Sequence, residues 1–459
     1  MIPGREMKPY HSIAVAPDLG DAPISGPYSK KVSLLSSNES SRDFEDVLAG
    51  WAEAARVGSL TVGLVGTFPP RLCGLATFTA DIASSLRTAG DQVLVAALVD
   101  DGEEVAAGVT HRYVRGSVES ATQVAAAFSR DVDAVLIEHE FGIFGGADGV
   151  LLHEFTDRLT VPYVLTLHTV VHRYTESQRD ALKLPLLSAA LVFVFSEQAV
   201  VLLSDQFPGV AERCRVVPHG APPELYRPRM PQLRGRVGLP ADAAVISTFG
   251  LLSPGKGVEQ AIVAMRSLRH TVKRALLVVA GQTHPDVLRQ SGERYRRDLE
   301  LLAHRHGVDD IVVFRDWFHD INELSSLLIT SDVFVTTYTG AEQIVSGALS
   351  FAIAAGVPFV STPYRYALAM SSAGCGITVP FGDANALATA VAGILNDETN
   401  RQQMVNRARS VAASMAWPHV GQLIHQLIRH GVDTRTQRRS RSRWITDQKE
   451  NVDGLLASG

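Results

Sequence analysis

The residue in this sequence with the most immediate chemical use is a lysine in a glycine-rich turn. In GLLSPGKG, residues 250–257, Gly250, Gly255 and Lys256 follow the apolar run AVISTFG and precede a helical pattern. A lysine placed there can neutralise a phosphate as a point charge. The spacing matches a phosphate-binding P-loop except at Gly257, which stands where that loop carries a Ser or Thr hydroxyl for magnesium. The turn therefore reads as a nucleotide-hydrolase loop weakened by Gly257, as a metal-free phosphate contact, or as a surface lysine. A second stretch, TTYTGAEQIVSGALSFAIAAG, sets Glu342 just before a helix that begins near residues 344–347. A carboxylate there can accept hydrogen bonds from ligand hydroxyls, while the amides around Gln343, Ile344, Val345 and Ser346 and the helix dipole can hold a phosphate. Taken alone, Glu342 reads equally well as a capping residue.

Histidines and glycines mark three further loops. His168 closes the run PYVLTLH, where a side chain points into a cleft, and His172 follows four residues later. The HTVVH spacing lacks the glutamate of a zinc-protease helix, so no metal site is expected. His139 and Glu140 end another run in EHEFGIFGG, where Gly142, Gly145 and Gly146 allow a sharply folded loop. These residues either line an acceptor pocket or shape it. In VGTFPPRLCGLATF, Gly74 opens a helix after a Pro-Pro turn, either as an anion-facing helix start or as an ordinary strand-to-helix turn. His219, in VVPHGAP, reads as structural.

The elements that carry these loops alternate short β-branched runs with Ala-rich helical stretches, the pattern of parallel sheets covered on both faces by helices. TVGLVG, QVLVAAL, AVLIEHE, PYVLTLH and ALVFVFS form a first series, and AVISTFG, ALLVVAG, DIVVFRD, VFVTTY and PFVSTP a second. Between them, residues 218–242 are dense in Pro, Gly and Arg and mark the boundary. The expected division is a flexible extension over 1–57 with one short helix around Trp51, a first doubly wound domain over 58–225, and a second over 226–405. A final helix over 406–432 and an Arg-rich tail over 433–459 complete it. In doubly wound sheets, ligands sit at the carboxyl ends of the strands, so the loops named above converge on a cleft.

Together GTFPPRLCGLATF, EHEFGIFGG, TLHTVVHRYT, VVPHGAP, GLLSPGKG and AEQIVSGALSFAIAAGVPFVSTPY resemble, in order and spacing, the retaining glycosyltransferases of family GT4. The resemblance spans about residues 60–430 and implies the α/β GT-B fold, two Rossmann-like doubly wound domains facing a central cleft. It implies that Lys256 neutralises the donor diphosphate, that Glu342 binds donor-sugar hydroxyls, that His168 lies at the reaction centre and that Gly74 faces the diphosphate. Gly250, Gln343, Ile344, Val345, Ser346 and Ser350 complete the implied donor site, and His139, Glu140 and Gly142 the acceptor side. Three positions depart from the family pattern. Leu251 replaces an arginine on the diphosphate, Ser350 the glutamate that contacts the ribose, and Cys73 the first glycine of the N-terminal loop.

The implied activity is metal-independent hexose transfer from a nucleoside-diphosphate sugar, GDP-mannose or UDP-glucose, to a hydroxyl acceptor, with retained configuration and no cofactor. Asp131 and Asp133 flank the start of a strand, the wrong end for a metal-binding carboxylate pair. The departures keep open a non-catalytic sugar-nucleotide or sugar-binding protein. Composition narrows the field further. A net charge of -5 excludes the global basic field of a nucleic-acid binder. Three well-separated cysteines, Cys73, Cys214 and Cys375, argue against a disulfide framework. Without a membrane-spanning run or a signal-like N-terminus, a cytoplasmic protein is expected. The five arginines between Arg435 and Arg443 could bring it to an anionic membrane.

Overall fold

The computed structural model describes residues 58–316 and 321–432. The helix expected around Trp51 and the Arg-rich tail lie outside these residues. The described chain forms two lobes, each built on an all-parallel sheet. The first has seven strands in the order β3-β2-β1-β4-β5-β6-β7: β1 Thr61–Gly66, β2 Gln92–Val99, β3 His111–Val114, β4 Ala134–His139, β5 Tyr163–Leu167, β6 Leu191–Val194 and β7 Cys214–Val216. The second has six in the order β10-β9-β8-β11-β12-β13: β8 Ala244–Phe249, β9 Ala275–Ala280, β10 Val312–Arg315, β11 Val333–Thr336, β12 Phe359–Ser361 and β13 Gly376–Thr378.

The ten apolar runs recognised in the sequence coincide with ten of these strands. β3, β7 and β13 were not expected, and each is a three- or four-residue strand at a sheet edge. An edge strand needs apolar side chains on little of its length, so HRYV and CRV give no strand-like pattern.

In both sheets the chain reverses direction beside the first strand, between β1 and β4 and between β8 and β11. The switch point opens a crevice at the carboxyl ends, where the candidate loops emerge. Two helices begin at those crevices. The first, α1, Gly74–Thr88, is capped by Cys73, whose Sγ accepts from the Ala76 amide at 3.3 Å. The second, Gly347–Ala354, is capped by Ser346, whose Oγ accepts from the Leu349 amide at 3.2 Å. The thiol at the family's glycine position thus does a capping residue's work.

The linker and the return of the chain pair with each other. The Ala221 amide donates to the Met415 carbonyl at 2.7 Å, and the Trp417 amide to the Ala221 carbonyl at 3.2 Å. The crossing starts later than position 406. Helix Glu398–Ala412 is continuous and buries Val405, Ala408 and Ala412 in the second lobe. Residues 417–432 then form the helix that returns, packing Trp417, Val420, Ile424 and Ile428 beside Val62, Leu64 and Ile82 of the first lobe. All three cysteines are free thiols. Among the described residues no helix is long and apolar enough to cross a membrane.

Candidate active site

The crevices of the two lobes enclose one cavity of about 1050 Å³. The first lobe contributes Gly74, Glu140 after β4 and His168 after β5, and the second Gly250, Leu251 and Lys256 after β8. The loop before helix Gly347–Ala354 adds Glu342, Gln343, Ile344 and Val345. Most of the residues singled out from sequence therefore share one space.

His168 is held from behind. Its Nε2 donates to Oε2 of Glu138 at 2.7 Å, and the hydroxyl of Thr166 donates to Oε1 of the same carboxylate at 3.2 Å. The Glu138 side chain is fully buried and that of His168 is 11% exposed, so water cannot compete for the contact. Phe78 packs edge-on against the imidazole at 4.7 Å between ring centres. Beside it, Glu140 accepts from the Phe141 amide at 2.9 Å and from the Thr169 hydroxyl at 2.8 Å.

Lys256 extends over the ring of Tyr338, with Nζ 4.3 Å from its centre, which keeps the ammonium next to the loop that carries Glu342. Gly257 follows in the left-handed region at φ +61°, and a Cβ there would lie 2.0 Å from the Thr337 carbonyl oxygen. Close approach of two loops, rather than loss of a magnesium ligand, accounts for this glycine. Glu342 is 45% exposed at its side chain and pairs with Arg365, Nη2 to Oε1 at 3.0 Å. Its Oε2 accepts from the His172 amide of the first lobe at 2.9 Å. The carboxylate is thus aimed from both sides of the cleft and retains lone pairs for ligand hydroxyls.

Four assignments need correction. His139 does not reach the cavity. Both its ring nitrogens are buried without partners, the ring stacks on Phe144, and burial, ahead of the charge of His168, lowers its pKa to about 3. Successive strand residues face opposite sides of a sheet, so Glu138 and His139 cannot both face the cleft. Gly142, at φ +82°, shapes the loop below the cavity without lining it. Ser346 is spent on its helix cap. Ser350 is fully buried one turn further on, 2.7 Å from the Tyr366 hydroxyl, and does not line the cavity either. At that depth it has no access to a ribose.

The cavity also has walls that sequence reasoning did not find. His219 lines it and packs on Phe78 at 4.9 Å, with its Nδ1 donating to the Gly220 carbonyl at 2.8 Å. Asp81 accepts from Trp417 Nε1 at 3.1 Å, and burial, only partly offset by that hydrogen bond, raises its pKa to about 7. Asp131 and Asp133 lie at the amino end of β4, where Asp131 pairs with Arg130 and Asp133 accepts from the Thr61 amide. Among the described residues no group of three or more His, Cys, Asp or Glu is arranged to hold a metal.

A family model described as glycosyl transferases group 1 matches residues 230–411. A second, glycosyltransferase family 4, matches residues 73–225. The chain is a group 1 glycosyltransferase.

No curated protein sequence matches it. Among solved structures, Anabaena HepE in complex with UDP and glucose aligns at 18% identity and a TM-score of 0.65, covering 81% of this chain and 100% of that one. Sucrose-phosphate synthase from Thermosynechococcus elongatus aligns at 19% and 0.65, covering 81% and 98%. WaaG, a glycosyltransferase involved in lipopolysaccharide biosynthesis, aligns at 20% and 0.58, covering 80% and 99%. These likenesses establish the GT-B fold.

For a glycosyltransferase the cleft has a consistent division. One wall carries the cation, the helix start and the Glu342 carboxylate, which suit a sugar nucleotide. The other carries His168, braced by Glu138, and Glu140. The signal for Glu138 was present in EHE, whose two glutamates share a face at a spacing of two. Asp81, Arg365 and Trp417 gave no such signal, because each meets its partner only through the fold.

Proposed function

We propose that this transferase moves a hexose, glucose or mannose, from UDP-glucose or GDP-mannose to a hydroxyl of a glycan, glycolipid or small molecule, retaining the anomeric configuration and using no metal. The observation that supports this reading is the convergence of Lys256, Glu342 and His168 on one cavity from three separate loops. In the proposed reaction the bond from the anomeric carbon to the diphosphate breaks as the acceptor oxygen bonds to that carbon. The acceptor's proton leaves on the diphosphate. Lys256 and the amides that open helix Gly347–Ala354 offset the charge that grows on the leaving group. Glu342, aimed by Arg365, and His168, braced by Glu138, fix the sugar so that acceptor and anomeric carbon meet in the reactive geometry. The arginines from Arg435 to Arg443 are suited to hold the enzyme at the anionic inner face of a membrane that carries the acceptor.

The test is transfer from labelled UDP-glucose and GDP-mannose to a panel of glycan, lipid and small hydroxyl acceptors, with the anomeric configuration of the product read by NMR. Transfer with retention, abolished in Lys256→Ala and Glu342→Ala, is expected. Donor binding with no transfer to any acceptor would instead support a binding protein on a transferase fold, the reading that Leu251 and Ser350 favour.

A further inference from the structure

We infer that His284 donates a hydrogen bond to the diphosphate of the bound sugar nucleotide, in place of the arginine that Leu251 replaces. The inference rests on the nucleotide reading given above. Among the described residues Leu251 leaves Lys256 as the one lysine or arginine lining the cavity, so the diphosphate lacks a second charged donor from that loop. His284 stands beside the vacated position. The Leu252 amide donates to the Gln282 carbonyl at 2.8 Å, and the His284 amide donates to the Leu252 carbonyl at 2.9 Å. Leu252 and Thr283 form a parallel bridge between these bonds. The loops after β8 and β9 are thereby fastened side by side, and the imidazole lines the same cavity as Gly250, Leu251 and Lys256.

The tautomer of the ring follows from one hydrogen bond. Nδ1 of His284 accepts from the amide of Asp286 at 3.1 Å, capping helix Pro285–Ser291. A main-chain N–H can only donate, so Nδ1 carries no proton and the neutral ring carries its proton on Nε2. Nε2 has no hydrogen-bond partner among the described residues, and the side chain is 34% exposed. The nearby Asp286 carboxylate lies on the opposite edge, 3.8 Å from Nδ1. The cap thus fixes the tautomer of a cavity-lining imidazole before any ligand arrives, which lowers the ordering cost of making the contact.

Capping and ligand binding separate by mutation. His284→Asn keeps a short acceptor for the Asp286 amide, since asparagine is among the best capping residues, but it removes the distant nitrogen. His284→Gln returns an amide N–H at about the reach of Nε2. Calorimetric titration of the full-length protein with UDP and GDP, and with uridine and guanosine by competition, reads both roles. For the diphosphate that binds wild type, His284→Asn is expected to weaken affinity by about tenfold or more, and His284→Gln to recover most of it. Nucleoside affinity and melting temperature stay near wild type in both variants. The inference is overturned if His284→Asn binds the diphosphate as wild type does while Lys256→Ala has lost it, or if nucleoside affinity falls equally. If Lys256→Ala also binds as wild type, the nucleotide reading itself has failed and the inference falls with it.

Discussion

Glu138 illustrates how a buried residue can govern one that lines the cavity. Its carboxylate is fully buried and is shared between His168 and Thr166, so the imidazole presents Nδ1, not Nε2, to its surroundings. Glu138→Ala is expected to lower kcat by roughly ten- to hundredfold, the value of one charge-assisted hydrogen bond, with KM for the donor little changed. Glu138→Gln keeps an acceptor for Nε2 and loses the charge, so it should recover part of the rate while shifting the pH profile of kcat. Wild-type rates in Glu138→Ala would refute the positioning role. Lys256, Glu342 and His168 were legible as cavity-lining residues because each stands in a loop at the carboxyl end of a strand, where doubly wound sheets open their crevice. His139 misled because its residue type outweighed its strand parity. Ser350 misled because a position was transferred from a family whose residue there is longer. EHE sets Glu138 on the face of Glu140, but its place behind His168 required the pairing of Glu138 with Thr166 across β4 and β5, a register that only the fold supplies.

Among the elements, the helix over residues 417–432 decides how the lobes are joined. Trp417 sits over Gly220 so closely that a Cβ there would lie 2.2 Å from the indole, and its Nε1 donates to Asp81 on α1. His425 adds a buried contact, with Nδ1 donating to Oδ1 of Asp91 at 2.8 Å. Gly220→Ala must displace the indole, and overpacking of this kind costs about 1–3 kcal/mol. Urea unfolding of this variant should show a loss of that size together with weaker donor binding, since Trp417 and His219 both line the cavity. Unchanged stability would show that the crossing tolerates repacking. The long central strands were plain in the sequence because both their faces are buried, and continuous apolar runs follow from that. The edge strands β3, β7 and β13 and the start of the crossing helix were not. The stretch 398–412 is polar and helical whichever lobe it covers, and Val405, Ala408 and Ala412 choose the second lobe only by packing.

Two buried histidines fold uncharged. Burial first and His168 second hold His139 at about 3, while burial holds His219 at about 4, against an ordinary value of 6.5. Both values are depressed, so the stability these groups contribute is complete above pH 6.5 and is lost as the pH falls towards 4 and 3. Asp81 opposes them. Burial raises it from 3.8 to about 7, so its contribution is complete below about pH 4 and is lost as the pH rises to 7. Two groups outweigh one, so near pH 5.5 the three together make unfolding take up protons and stability falls with the pH. Urea midpoints should therefore fall between pH 6.5 and pH 5, and His139→Leu, which also removes two unpartnered buried nitrogens, should flatten the fall. A pH-independent midpoint in wild type would contradict this. His219 and Asp81 line the cavity proposed to hold a nucleoside-diphosphate sugar. Calorimetric titration of the full-length protein with a panel of sugar nucleotides tests that directly. One bound molecule per chain is expected for a subset of the panel, with affinity reduced at least tenfold in Lys256→Ala. Failure of every sugar nucleotide to bind, or binding that Lys256→Ala leaves unchanged, would contradict it.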